Sequence, residues 1–211
     1  MKPDIIVVGA GGHAKVCIEL LHAMGESIRF CVGGDAGPDH CLGIQVLHGD
    51  EHLASLRPEG YTRAFVALGD NRLREKLGTK CVDLGYQLVN AISPQAVVSP
   101  SAKLGTGIAI MAGAVINASS TIADLAIINT GATVDHDGQI GRTAHIAPQC
   151  ALAGNVVIGD QVFLGIGTKV IPNIVVGARS TVGAGTVILR NIPENSLAMG
   201  VPAKIIETEG K

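Results

Sequence analysis

The chain has 211 residues, 47% of them hydrophobic and 16% charged, with a net charge of −2. That balance leaves no basic footprint for nucleic acid or an anionic membrane surface, and the short apolar run after Met1-Lys2-Pro3-Asp4 is far too brief for a signal sequence or a membrane span. Five scattered cysteines (Cys17, Cys31, Cys41, Cys81, Cys150), odd in number and without a C-x-x-C, predict buried reduced thiols in a cytoplasmic protein, with no disulfide frame and no metal site.

In chain order, residues 4–8 read as a short buried strand, followed at once by Gly9-Ala10-Gly11-Gly12-His13-Ala14 and then by helical spacing through Val16, Ile18, Leu21 and Met24. Strand, glycine turn and helix fit G-x-G-x-x-G/A, a pattern that holds phosphate on backbone N–H groups at a helix start. Further strands are predicted over 28–32, 44–47, 64–68 and 87–90, with a helix over 71–84. Residues 1–90 thus read as a small Rossmann-like α/β domain, whose ligand belongs at the carboxyl ends of its strands. Those ends carry Gly11, Gly12 and His13, then Asp35, then Gly69. Ninety residues hold barely one nucleotide-binding half, and no acidic residue closes the second strand. A mononucleotide is expected there rather than NAD.

From Ile92 the texture changes. Every sixth residue through Ile188 is Ile, Val or Leu, seventeen positions without an insertion, and only nine of the 34 charged residues lie between 92 and 193. A fixed six-residue period predicts a parallel β-helix. With the aliphatic residue as position one, position five is small or aliphatic and faces the same interior. Positions two to four form the corner and collect twelve of thirteen glycines. Three hexapeptides close a coil, so residues eighteen apart stack about 4.8 Å from each other. The prediction is an all-β solenoid over 91–195, with 196–211 as a C-terminal cap and tail.

Two histidines fall inside the repeat. His136 is at position three, on a corner between Asp135 and Asp137, and His145 at position six, on the outer face of a flat side. Neither is expected in the core. The eighteen-residue rule stacks Gly154 over His136, which is expected to leave room for a reactant. Gly138, two residues on, breaks the rule for position five. A carboxylate beside an imidazole suits a general base. No serine or cysteine has a histidine and an acid at workable spacing, so direct transfer is expected. Flat sides of such prisms can pack three-fold, with corners of one chain facing the next.

The hexapeptide stretch resembles the left-handed β-helix acyltransferases. More closely, Gly9-Ala10-Gly11-Gly12-His13, Leu68-Gly69-Asp70-Asn71, Asn129 to Asp137 and Gly200-Val201-Pro202-Ala203-Lys204 are together similar to the sugar acetyltransferases of the bacillosamine and sialic-acid type. The resemblance implies a left-handed helix and a homotrimer that moves acetyl from acetyl-CoA to the amino group, at C4, of a UDP- or GDP-linked amino-deoxy sugar. His136 then matches the base and Asp137 the carboxylate beside it. Asn129 matches a residue near the acceptor amine. His145, Ile166 and Ala184, together with Gly154 of the base's corner, are expected to meet acetyl-CoA. Gly11, Gly12, His13 and Gly69 match nucleotide contacts. Relatives often carry an Asp-Asp pair after the second strand, where this chain has Gly33-Gly34 and then Asp35. Competing readings are O-acetylation of a sialic-acid-like sugar, a noncatalytic trimeric scaffold, and an NAD-binding regulator.

Overall fold

The structure is a computed structural model that describes residues 3–206; the last five residues of the expected tail, and the first two of the chain, lie outside it. The chain divides into two compact units, 1–94 and 95–211.

The first unit is built on β1 (Ile5–Val8), α1 (Gly12–Ala23), β2 (Ile28–Gly33), β3 (His40–Cys41), β4 (Ile44–His48), α2 (His52–Leu56), β5 (Arg63–Val66), α3 (Asn71–Asp83) and β6 (Gln87–Leu88). Its sheet runs β3-β4-β2-β1-β5-β6 and is parallel except for the β3–β4 hairpin. All four residues of β1 are buried, as a central parallel strand covered on both faces requires. Strand order turns back between β1 and β5, which opens a crevice at their carboxyl ends. Gly9 lies there, at φ +122, and a Cβ on it would come within 2.6 Å of the Ala67 carbonyl oxygen. Only glycine lets the two strand exits run this close. Two elements of this unit, β3 and α2, went unread in the sequence, whereas β4 falls on the strand expected over 44–47. The β3–β4 hairpin turns through Leu42 (φ 48) and Gly43 (φ 79), a pair of left-handed residues that suits a two-residue hairpin loop. Helix α2 has five residues, too few to show a period.

The second unit is a parallel β-helix. Two-residue strands stack in three sheets, each residue paired with the one eighteen further on. Face one carries Ala109–Ile110, Ile127–Ile128, His145–Ile146, Phe163–Leu164 and Thr181–Val182. Face two carries Val115–Ile116, Thr133–Val134, Ala151–Leu152, Lys169–Val170 and Val187–Ile188. Face three carries Lys103–Leu104 through Val175–Val176. The position-one residues from Ile110 to Ile188 are at most 4% exposed. Full burial of such a side chain contributes roughly 1.5–3 kcal/mol, which makes the bore the main source of stability.

Position four shows what the corners demand. From Gly107 to Gly185 its φ lies between 53° and 73° at every hexapeptide, whether the residue is glycine or Leu125, Asp137, Gln149 or Arg179. A left-handed residue costs a non-glycine side chain about 1–2 kcal/mol. The return is a ladder bond along the stack: Asp137 N–H donates to the Ala118 carbonyl at 2.9 Å, Asn155 to His136 at 3.0 Å, and Asn173 to Gly154 at 3.1 Å. After the last regular coil, Leu197–Met199 continues face one in parallel, and Lys204–Ile206 pairs back on it antiparallel. That hairpin covers the open ladder edge.

Candidate active site

The structure sorts the expected site residues into three groups. The first is on the α/β unit, where a cleft of about 840 Å³ opens at the strand ends. Gly11 and Asp35 line it, whereas Gly12, His13 and Gly69 stand beside it without lining it. Pro38, Glu51 and Lys76 also line it and were not foreseen. They come from a loop, the N-cap of the short helix α2 and the side of α3, elements that only the sheet order brings together. His48, at the end of β4, braces the loop of Asp35 by hydrogen bonds to the Gly34 carbonyl (3.0 Å) and to Asp39 Oδ1 (3.1 Å). Both partners are acceptors, so both ring nitrogens donate, and these bonds raise the affinity of His48 for its proton.

The second group is the corner that follows face two. His136 Nδ1 lies 2.8 Å from Asp137 Oδ2, with both side chains about half exposed. A carboxylate only accepts, so the proton is on Nδ1 and Nε2 is the basic nitrogen. The hydrogen bond to Asp137 is the chief cause that raises the His136 pKa above its ordinary value, with the charges of Asp135 and Asp137 adding to it. The backbone is fixed from both sides: His136 N–H donates to Asp135 Oδ1 at 2.8 Å, and the His136 carbonyl accepts from Asn155. Asp135 Oδ1 also accepts from Asn117 Nδ2 at 3.0 Å, and these bonds hold the Asp135 pKa down. Asn117 was missed, although it stands eighteen residues before Asp135 and the stacking rule could have found it.

Gly154 is stacked at this corner as expected, but the room it leaves is already taken. A Cβ at 154 would stand 2.5 Å from both Cε1 and Nε2 of His136. The missing side chain makes space for the imidazole itself rather than for a reactant. Gly138 has a similar explanation: a Cβ there would meet Val134 Cγ1 at 2.6 Å. The bore is instead filled by buried Ser120, whose hydroxyl donates to the Asp135 carbonyl (2.8 Å) and accepts from Gly138 N–H (3.2 Å). A groove of about 590 Å³ runs along face two beside this corner, lined by Asn117, Thr133, Asp135, Ala151, Lys169 and Pro172 among others.

The third group is the corner that follows face one, with Asn129, Ile166 and Ala184, and with His145 on the adjoining strand. His145 corrects the expectation of an open outer-face histidine. It does point away from the bore, yet it is only 8% exposed. Its ring meets Phe163 edge-on, with centroids 5.2 Å apart, and its Nε2 is 3.1 Å from Asn129 Nδ2. Asn129 Oδ1 accepts from Thr130 N–H at 2.8 Å, which orients the amide so that its NH₂ faces the ring. His145 Nε2 is therefore an acceptor, and the proton of the neutral ring is on Nδ1. Ile166 is 58% exposed and stands eighteen residues before Ala184, which gives this corner an apolar strip.

Within one chain the two corners do not meet, because the whole width of face two separates His136 from Asn129 and His145. Among the described residues there is no group of three or more His, Cys, Asp or Glu side chains that could hold a metal ion, and no helix is long and apolar enough to cross a membrane. The five cysteines are free and buried.

Known proteins resemble this chain in sequence and fold. Residues 4–81 match the model of the PglD N-terminal domain, and residues 155–190 that of the bacterial transferase hexapeptide (six repeats). PerB from Caulobacter crescentus, solved in complex with CoA and GDP-perosamine, is 53% identical with a TM-score of 0.95, covering 98% of this chain and 99% of that one. The acetyltransferase domain of PglB from Neisseria gonorrhoeae, solved with acetyl coenzyme A, is 39% identical with a TM-score of 0.91, covering 98% and 100%. The UDP-N-acetylbacillosamine N-acetyltransferase of Bacillus subtilis (strain 168) is 35% identical over 119 residues, 52% of this chain; the match spans about half, 51%, of that relative's length. The fold is thus an α/β unit followed by a left-handed parallel β-helix. The chain belongs to the family of hexapeptide-repeat sugar N-acetyltransferases, enzymes that depend on acetyl-CoA.

Proposed function

We propose that this protein transfers acetyl from acetyl-CoA to the C4 amino group of a GDP-linked amino-deoxy sugar, with His136 as general base. The observation that carries the reading is the Nδ1–Asp137 hydrogen bond, which leaves a basic Nε2 on an exposed corner. GDP is favoured over UDP because PerB, at 53% identity over nearly the full length, was solved with GDP-perosamine.

The amine attacks in its neutral form, because a protonated amine has no free lone pair. As the nitrogen bonds to the thioester carbonyl carbon, His136 Nε2 accepts one of its protons; the C–S bond breaks, and that proton passes to the departing thiolate. Asp137 holds the ring and balances the charge it gains. The Asn129–His145 pair offers fixed polar groups at the other corner, next to the Ile166–Ala184 strip where the pantetheine arm would lie. Fixed dipoles near the carbonyl stabilise the negative charge that develops on its oxygen. The nucleotide occupies the α/β cleft, with Gly11 and Asp35 on its walls.

Because face two separates the corners, the reading calls for two prisms at each site, the His136 edge of one against the Asn129 edge of the next. A homotrimer satisfies this with closed symmetry. Five buried, reduced thiols agree with a cytoplasmic setting. The experiment is thiol release from acetyl-CoA against GDP- and UDP-linked 4-amino sugars and their 4-hydroxy counterparts. Turnover of the GDP amino sugar is expected; a preference for the hydroxyl acceptor would overturn the reading. Sedimentation should show a trimer, and a fully active monomer would remove the shared site.

A further inference from the structure

Arg74, near the start of α3, has no task in the reaction described above. It is 1% exposed. Its Nη1 donates to the carbonyls of Leu68 (2.8 Å) and Gly69 (3.1 Å), and its Nη2 to Asn71 Oδ1 (2.8 Å). Those acceptors span the turn from β5 into α3. Capping does not need them, since Asp70 already caps the helix by accepting from Leu73 N–H at 2.7 Å. Withdrawing a guanidinium from water is costly, and a leucine would suit the buried face of an ordinary helix better.

The turn that Arg74 grips is one wall of the crevice between β1 and β5. Leu68 lines the cleft, and Leu68 Cδ2 would stand 3.2 Å from a Cβ on Gly9. Opposite is the first turn of α1, where His13 Nε2 lies 3.5 Å from Cys17 Sγ. The charge of Arg74 acts on both residues.

We propose that Arg74 is a positioning residue for the nucleotide: its buried guanidinium fixes the Leu68–Asn71 turn at the mouth of the cleft. The inference rests on the assignment of that cleft to a nucleotide. His13 stands beside the cleft, and a neutral imidazole there both donates and accepts, whereas an imidazolium only donates. Burial first, and the Arg74 charge second, lower the pKa of His13 to about 4. Arg74 itself is lowered by burial to about 10, so it remains charged at neutral pH.

The test uses the full chain. GDP and UDP are titrated calorimetrically into wild type, Arg74→Gln and Arg74→Lys, and the tighter nucleotide is carried forward; acetyl-CoA is titrated in parallel. Arg74→Gln should bind the nucleotide at least tenfold more weakly and acetyl-CoA within twofold of wild type. In the same variant the His13 ring, followed by NMR, should titrate at higher pH than in wild type. Arg74→Lys returns the charge without the fork, so His13 should stay depressed while nucleotide binding remains weak. Unchanged nucleotide binding in either variant overturns the proposal, as does equal weakening for acetyl-CoA, which marks a merely structural residue. If Arg74→Gln does not fold, the lysine variant decides by the same criteria. A wild type that binds neither nucleotide also overturns it. One that binds a nucleotide but acetylates no amino sugar refutes the proposed reaction and leaves this role of Arg74 standing.

Discussion

The two histidine corners of the β-helix use one backbone for opposite ends. At the corner after face two, His136 is half exposed and lies beside a carboxylate, so its ring gains basicity. At the corner after face one, His145 is buried against Phe163 and receives a hydrogen bond from a neutral amide, so its ring is held in one tautomer. The prism supplies identical spacing at both corners. Neighbouring side chains decide whether an imidazole becomes a proton acceptor or a fixed dipole. A solenoid can thus carry reactive groups without loosening its core, because position-three and position-six residues change while the bore is left alone.

The largest effect should come from removing the proposed base. His136→Ala is expected to lower kcat by about 10²–10⁴-fold, the usual contribution of a general base, with the melting temperature unchanged. Steady-state kinetics at wild-type rate would end the contrast between the corners. Next is Gly154→Ala, whose new methyl must displace the His136 ring. Misplacing a reacting group by about 1 Å can cost on the order of 10²-fold. A structure of that variant should show the ring swung off the corner, and an undisturbed ring with full activity would mean that the packing is slack.

Asn129→Ala tests the other corner. It strips the buried His145 acceptor of its partner, a loss of about 1–3 kcal/mol in folding stability, readable in denaturant melts. A wild-type melt would argue that His145 is effectively solvated. The smallest effect is on a pH profile. Asp137 raises the His136 pKa, so the acid limb of kcat/KM in wild type should lie above the ordinary histidine value. In Asp137→Asn the ring loses its proton at lower pH, and the limb should move down. An unmoved limb would detach the base from its carboxylate.

Much of this was legible before any coordinates. The six-residue period carried the solenoid, and the eighteen-residue stacking rule put Gly154 against His136 and aimed His145 outward. The strand-end glycines indicated the cleft. Other features escaped for physical reasons. Pro38, Glu51 and Lys76 line one cleft only because β2 and β4 end, and α3 begins, on the same side of the sheet. Arg74 looks like one more charge on a helix, since burial of a long cationic side chain leaves no trace in a pattern. His145 read as open because outward from a bore is not the same as exposed.

The amino-acid string alone determined the regular part: which residues face the bore, where the corners fall and which residues stack. Those follow from a two-residue strand period and a fixed coil length, both local rules. The tertiary structure alone decided accessibility and electrostatics: that the gap at Gly154 holds a ring, that His145 is shielded, and that a guanidinium is buried beside the strand-end cleft. Burial and the pKa shifts that follow from it depend on everything packed around a group, and no periodicity of the chain records them.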